Sequence, residues 1–228
     1  EQSNYPQAVR HFSFFFNAGQ NNRYIPYALT RRAAANYNLK NYGQTADDYI
    51  AVVQRYPAHP AGEDILLPLE EALRLAGRQD EFNKYLAMYK QANPDAKGLE
   101  TVEFETAKNL YFNQQYPKAI EGFTSFLRSY PGSPQVAEAR YYMAESYYRQ
   151  KDYLGSLALL KQVSADPSFT MISKAVSRMA ELEFKLQHYD SAVTAFHRLL
   201  RLAANKKDEY TGLNGLMESF HLLAAYDS

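Results

Sequence analysis

Residues 99–131 read LETVEFETAKNLYFNQQYPKAIEGFTSFLRSYP and contain two helical patterns separated by a short polar turn. From Tyr116 the apolar residues follow one helix face, through Ala119, Phe123 and Phe126. Proline lacks an amide hydrogen and disfavours helix in the residue before it, so Pro131 closes the second pattern. The stretch therefore predicts a hairpin of two helices.

The hairpin recurs along the whole chain. Pro57, Pro94 and Pro131 stand 37 residues apart, and Pro167 follows 36 residues later. Tyrosines open the second helices at the same step, interrupted only by Gln79: Tyr5, Tyr42, Tyr116, Tyr153, Tyr189 and Tyr226. Each of these tyrosines begins a row of apolar residues on one helix face. Any single row is compatible with an ordinary amphipathic helix, but six rows at one period indicate a repeat protein.

The period divides the chain into units. First helices are predicted at 25–39, 65–75, 99–112, 136–148, 172–186 and 210–223. We expect 1–228 to be a single solenoid, with an unpaired second helix at 1–20, hairpins at 21–57, 58–94, 95–131, 132–167 and 168–204, and a partial repeat at 205–228. Solenoid ends need polar caps, and neither end of the pattern has one. We therefore expect a fragment of a longer repeat protein, with self-association through its uncapped ends left open.

The hairpins resemble tetratricopeptide repeats, which place small residues where two helices cross and a proline after the second helix. In residues 99–131, Ala107 and Ala119 stand at the small positions, Phe123 at the aromatic position and Pro131 at the closing position. The copy at 62–94 departs from the pattern, with Glu70 and Phe82 at its small positions. The resemblance implies an all-α, right-handed superhelix of antiparallel helix hairpins.

One stretch suggests a branch of that family. Residues 130–148, YPGSPQVAEARYYMAESYY, are similar to repeats of bacterial envelope proteins such as outer-membrane assembly lipoproteins and cell-division coordinators. The similarity favours a periplasmic or outer-membrane-associated protein over a cytoplasmic one. The apolar run at 12–16 is too short to cross a bilayer, so we expect no direct membrane insertion.

Composition and motifs argue against catalysis and cofactor binding. Lys+Arg and Asp+Glu both count 25, so the total charge does not favour nucleic acid, and there is no cysteine for a disulfide, thiolate or thiolate-bound metal. The five histidines form no i, i+4 pair, and the chain contains neither a glycine-rich phosphate loop nor a nucleophile elbow. We expect a protein that is not an enzyme and binds no cofactor or metal.

The remaining candidate for a functional site is the concave surface that the first helices form in tetratricopeptide arrays. The resemblance carries its groove positions to Tyr27, Thr30, Ala34 and Tyr37, to Thr101, Phe104, Lys108 and Tyr111, to Glu138, Tyr141, Glu145 and Tyr148, and to Lys174, Ser177, Glu181 and Phe184. From this set we expect partner contacts by Tyr27, Tyr37, Phe104, Lys108, Tyr111, Tyr141, Glu145 and Tyr148. Tyrosine combines an apolar ring with a polar tip and suits a partly wet interface.

The same residues have a structural alternative. Tyr37, Tyr111, Tyr148 and Phe184 share one repeat position, and a recurring aromatic more often packs against the neighbouring hairpin than against a ligand. Tyr27, Phe104 and Tyr141 are the stronger binding candidates. Lys108 is the only basic residue at the positions where chaperone-binding members hold a C-terminal carboxylate, so an acidic tail is a poor ligand.

Three functions fit the sequence. The first is a protein-interaction scaffold that binds an extended or helical partner segment in an aromatic concave groove. The second is an envelope glycan or peptidoglycan binder in which Tyr27, Phe104 and Tyr141 stack on sugar rings, although the chain has no Trp. The third is a helper region of a larger enzyme.

Overall fold

The computed structural model describes residues 4–18, 23–167 and 169–226, and all regular elements in these ranges are helical. The helices are α1 (Tyr5–Ala18), α2 (Ile25–Asn38), α3 (Tyr42–Arg55), α4 (Ala61–Asp64), α5 (Leu66–Leu75), α6 (Phe82–Ala92), α7 (Leu99–Phe112), α8 (Tyr116–Ser129), α9 (Val136–Arg149), α10 (Tyr153–Ser164), α11 (Ile172–Lys185), α12 (Tyr189–Leu202) and α13 (Lys206–Tyr226). They follow one another as helix hairpins, which confirms the all-α, tetratricopeptide-like fold class.

The chain forms two compact units, residues 1–106 and 107–228, whereas the sequence pattern predicts one continuous array. The core of unit 1 is built from α2, α3, α5 and α6 around Val52, Leu69 and Phe82. In unit 2, one cluster centres on Leu160 and Leu182 and another on Phe196 and Leu199. Each core is made of the apolar stripes that the period places on the inner helix faces.

The first helix of each hairpin ends in the same backbone motif. A residue with positive φ follows it each time: Lys40 (62°), Gly77 (73°), Gln114 (60°), Lys151 (66°) and Gln187 (64°). At Lys151 the amide donates to the Tyr148 carbonyl (2.9 Å), and the next amide, of Asp152, donates to the Tyr147 carbonyl (3.0 Å). These bonds define a Schellman turn, which satisfies carbonyls left free at a helix end. The turn reverses the chain at the same position of every hairpin. Glycine is the residue that most easily adopts a positive φ, but only Gly77 among these five residues is a glycine.

Small residues allow the paired helices to cross closely. Ala107, Ala119, Ala144, Ala180 and Ala192 are almost fully buried. A methyl group on Gly122 would lie 3.0 Å from the Cβ of Ala107, so α7 and α8 nearly touch there. In the 62–94 copy, where Phe82 replaces the small residue, α6 is preceded by a 3-10 turn at Gln79–Glu81 and α5 by the short α4.

The final helix differs from its prediction at both ends. It begins at Lys206, four residues before the predicted start, because the Asn205 side chain accepts a hydrogen bond from the Asp208 amide (2.9 Å) and caps the first turn. It continues to Tyr226, where the repeat pattern predicts the opening of another helix. No proline or glycine interrupts residues 216–226. Asp227 and Ser228 lie outside the described residues.

Candidate functional site

Side chains link neighbouring first helices of unit 2 into a row. Lys108 on α7 reaches Glu138 on α9, with 3.1 Å between Nζ and Oε1. Glu145 on α9 pairs with Arg178 on α11, with 2.9 Å between Oε1 and Nε. We call Lys108, Glu138, Tyr142, Glu145, Tyr148, Arg178 and Glu181 the first-helix ladder. Opposite charges one repeat apart meet here because successive first helices lie side by side.

Arg178 is the centre of the ladder. Its guanidinium forms two hydrogen bonds to Glu145, at 2.9 and 3.3 Å, and a further ion pair with Glu181. The guanidinium carbon lies 3.9 Å from the ring centroid of Tyr148. The Tyr148 hydroxyl donates to Glu181 at 2.6 Å. The Glu145 side chain is only 5% exposed and that of Arg178 is 24% exposed, so this pair is largely withdrawn from water.

The pKa values of Arg178, Tyr148 and the adjacent Tyr141 are all raised. Burial lowers the pKa of Arg178, but the hydrogen bonds and charge of Glu145 outweigh burial and raise the pKa above its ordinary value. The hydrogen bond to Glu181 raises the pKa of the Tyr148 phenol, and burial adds to that effect. Burial, followed by the charge of Glu145, also raises the pKa of Tyr141. The phenols of Tyr148 and Tyr141 therefore stay neutral at physiological pH. By composition the ladder has three acidic and two basic side chains.

Two of the aromatic residues predicted to bind a partner are buried. Phe104 is 1% exposed and Tyr141 is 8% exposed, so neither ring offers a surface for the partner contact expected of it. The Tyr141 ring packs against Phe169, from the turn before α11, at 5.8 Å between centroids, and against Tyr142 at 5.5 Å. Burying a large ring against other aromatic rings is more favourable than leaving it in water.

The aromatic residues at the shared repeat position pack on residues of their own hairpins and, in two cases, of the next hairpin as well. Each ring lies beside the tyrosine that opens the second helix: Tyr37 on Tyr42 (5.5 Å), Tyr111 on Tyr116 (5.9 Å), Tyr148 on Tyr153 (5.8 Å) and Phe184 on Tyr189 (5.6 Å). Packing against the neighbouring hairpin, the structural alternative from the sequence, also occurs: the Tyr111 ring lies 5.1 Å from that of Tyr142 on α9, and the Tyr148 ring lies under Arg178 of α11. Hydroxyl groups reach the next hairpin as well. Tyr37 donates to Glu71 (2.8 Å) as Tyr148 donates to Glu181.

The other predicted residues have intermediate positions. Tyr27, in unit 1, is 50% exposed, and its ring meets that of His59 at 4.6 Å in an edge contact. Lys108 and Tyr111, in unit 2, are partly exposed. Glu145 is buried, and its charge is taken up by Arg178. Glu181, whose side chain is 48% exposed, is the most exposed charged residue of the ladder, and Lys108, Glu138, Tyr148 and Arg178 are partly exposed.

Sequence reasoning missed Arg178 and Tyr142. Glu145 and Arg178 are 33 residues apart, as are Tyr148 and Glu181, and Tyr37 and Glu71 are 34 apart. Side-chain contacts between one first helix and the next therefore join residues whose separation is a few residues shorter than the period of 37. Searching for opposite charges at that offset would have found the Glu145–Arg178 pair.

The described part of the chain contains neither a cluster of metal-binding side chains nor a membrane-spanning helix. No three His, Asp or Glu side chains converge there in an arrangement that could hold a metal ion. No helix in those ranges combines the length and apolar character that crossing a membrane requires.

A family model and one curated protein match the sequence. The model described as YfiO, outer membrane lipoprotein, matches residues 70–202, which is more than half of the chain. The Hsp70-Hsp90 organizing protein of Triticum aestivum is 24% identical over 199 residues, covering 85% of this chain and 31% of the wheat protein. The chain thus spans about a third of that relative's length.

Solved structures share the fold. The apo form of RapI aligns with 96% of this chain and 69% of its own, with a TM-score of 0.60 and 14% identity. Yeast Tom70 aligns with 95% of this chain and 43% of its own (TM-score 0.54, 16% identity). BtubC from P. vanneervenii aligns with 86% of this chain and 87% of its own (TM-score 0.52, 11% identity). At these identities the likeness concerns the fold alone.

Proposed function

The chain belongs to the YfiO family of outer membrane lipoproteins, and we propose that it is a non-catalytic scaffold that binds a segment of another envelope protein on the first-helix ladder. The observation that carries the proposal is the central network of the ladder. Arg178, Glu145, Tyr148 and Glu181 hold one another in fixed positions. A surface held in place by its own contacts loses little conformational entropy when a partner binds.

The charges and rings of the ladder support one kind of partner. Its cations already pair with carboxylates, and its carboxylates outnumber its cations by one. An acidic tail would have to displace these pairs. We propose instead an extended or helical segment with basic or hydrogen-bond-donating side chains, whose apolar parts rest on Tyr148 and Tyr111.

The relatives support a binding role without defining the ligand. The wheat relative is named an Hsp70-Hsp90 organizing protein, a name that describes action on other proteins. The family description supports a place at the outer membrane, and we propose that the chain works on the periplasmic side of the envelope. Tyr27 and Tyr37 of unit 1 remain proposed contacts for the same or another partner.

The test is affinity capture of partners by the full-length protein from a native extract of its source cells. We expect the Lys108→Ala, Tyr148→Ala double variant to bind the captured partner at least about tenfold more weakly, equivalent to about 1.4 kcal/mol. Both side chains are partly exposed, so the variant should fold.

A matched control removes one cation and one large apolar side chain from second helices. Arg128 on α8 is exposed, and Leu154 on α10 is 67% exposed. The Arg128→Ala, Leu154→Ala variant should retain the partner at the wild-type level. Equal capture by the ladder variant and the control would reject the ladder as the binding surface.

A further inference from the structure

One repeat position of the first helices in unit 2 carries exposed side chains that are not part of the ladder. Five residues after the small position stand Phe112 on α7, Arg149 on α9 and Lys185 on α11. Phe112 is 59% exposed, and Arg149 and Lys185 are exposed as well. We call these three residues the rim row, because they stand where successive first helices end.

The ring of Phe112 extends an aromatic cluster to the surface. Its centroid lies 5.2 Å from that of Tyr111 and 5.6 Å from that of Tyr142. The equivalent residue of α2 is Asn38, which is exposed, so the repeat does not require an apolar side chain at this position. An exposed ring that is held by two others suits a binding anchor, because covering it removes apolar surface from water at little cost in side-chain entropy.

The two cations of the rim row contact neutral aromatic groups. Arg149 is hydrogen-bonded to the Tyr111 hydroxyl, and the ammonium group of Lys185 lies 4.3 Å from the ring centroid of Tyr153. A hydrogen bond to Tyr153 is the main reason that the pKa of Lys185 is raised, and nearby charges, including that of Glu181, add to it. Both side chains are therefore cations at physiological pH.

The acidic residues closest to these cations on the same helices are already engaged. Glu145 precedes Arg149 by four residues, and Glu181 precedes Lys185 by four. Both carboxylates pair with Arg178. Within the described ranges of the chain, neither Arg149 nor Lys185 forms a salt bridge. The cations of the ladder are paired with carboxylates, whereas those of the rim row can pair with a ligand.

The helix dipole explains only part of the row. A cation in the last turn of a helix is favoured because the terminal carbonyl groups carry partial negative charge, which accounts for Arg149 and Lys185. The dipole gives no reason for an exposed Phe112 at the same position of α7. The row therefore joins an apolar anchor to two unpaired positive charges.

The spacing of the row matches an extended chain. Packed helices lie about 8–10 Å apart, so the members of the row recur at about that distance. In the polyproline II conformation, side chains three residues apart point to the same side and are separated by about 9 Å. A segment in this conformation can present one side chain to each member of the row.

We propose that the rim row binds an extended acidic segment of another protein, which places one large apolar side chain on Phe112 and carboxylates three and six residues away on Arg149 and Lys185. The apolar side chain covers the exposed ring, and the carboxylates form ion pairs with the two cations. Complementary charge favours an acidic segment over a basic one. The proposal does not depend on partner binding by the ladder.

The test is fluorescence anisotropy of a labelled peptide, PPFPPEPPEPP, titrated with the whole chain. Its prolines favour the polyproline II conformation, and its Phe and two Glu residues have the spacing of the row. We expect saturable binding, and we expect PPFPPKPPKPP to bind at least about tenfold more weakly. Phe112→Ala should weaken binding of the acidic peptide at least about tenfold.

Charge reversal supplies a second variant with a matched control. The Arg149→Glu, Lys185→Glu variant should prefer PPFPPKPPKPP to the acidic peptide. The Arg128→Glu, Arg201→Glu variant makes the same changes at exposed positions in the last turns of α8 and α12 and should bind like the wild type. Circular dichroism verifies the folding of each variant.

Four outcomes would overturn the proposal. The first is a flat titration with PPFPPEPPEPP, and the second is equal affinity for the acidic and basic peptides. The third is equal binding by the rim row charge variant and its control, and the fourth is unchanged binding by Phe112→Ala. Because the assay contains no captured partner, none of these outcomes tests the ladder.

Discussion

Replacing Phe123 by Ala is expected to lower the free energy of unfolding by about 3–5 kcal/mol, the largest effect of any substitution considered for this protein. Phe123 is fully buried on α8, and its ring lies parallel to that of Tyr142 on α9, with 6.3 Å between centroids. The substitution removes apolar area and leaves a cavity that the crossing of Ala107 and Gly122 cannot easily close. Chemical denaturation followed by circular dichroism measures the change.

The control for this prediction is Leu154→Ala on α10. Leu154 is 67% exposed, so its loss should change stability by less than about 0.5 kcal/mol. If Phe123→Ala unfolds at the same denaturant concentration as Leu154→Ala, the core of unit 2 is wrongly assigned.

Arg178→Met is expected to lower the stability of the chain by about 2–4 kcal/mol at neutral pH. The substitution removes the cation and leaves the buried carboxylate of Glu145 without its partner. Breaking a fully buried ion pair typically costs about 3–5 kcal/mol, and the partial exposure of Arg178 reduces that cost. Urea titration of the variant gives the value.

A double-mutant cycle separates charge from packing. Glu145→Gln combined with Arg178→Met removes both charges and keeps similar volumes, so the double variant should recover much of the lost stability. Additive losses from the two substitutions would mean that the two side chains do not interact and that the ladder lacks its central contact.

The helices were predictable from the sequence because the apolar core positions and the prolines after the second helices recur with the same period. Helix α7 runs from Leu99 to Phe112, as predicted, and α9 and α11 differ from prediction by one residue at one end. Apolar spacing defines the buried face, and prolines mark where the second helices stop. The turns at Lys40, Gln114, Lys151 and Gln187 were less visible. Their left-handed residues are not glycines, so local composition does not reveal them.

The candidate site was predictable only in part. The resemblance identified Lys108, Tyr148 and Glu145, but a position on a first helix does not determine how exposed its side chain is. Tyr141 is covered by Phe169, a residue of the turn between α10 and α11. Helix periodicity cannot place a turn side chain in space. The role of Arg178 was not predictable from the repeat period alone, because Arg178 pairs with Glu145, 33 residues before it, and the period is 37.

The most direct test of the proposed scaffold is hydrogen–deuterium exchange of the chain with and without its captured partner. We predict slower exchange in α9 and α11, which carry most of the ladder, and unchanged exchange in α8 and α10, the second helices of the hairpins. Protection confined to α8 and α10, with α9 and α11 unaffected, would contradict binding on the first-helix ladder.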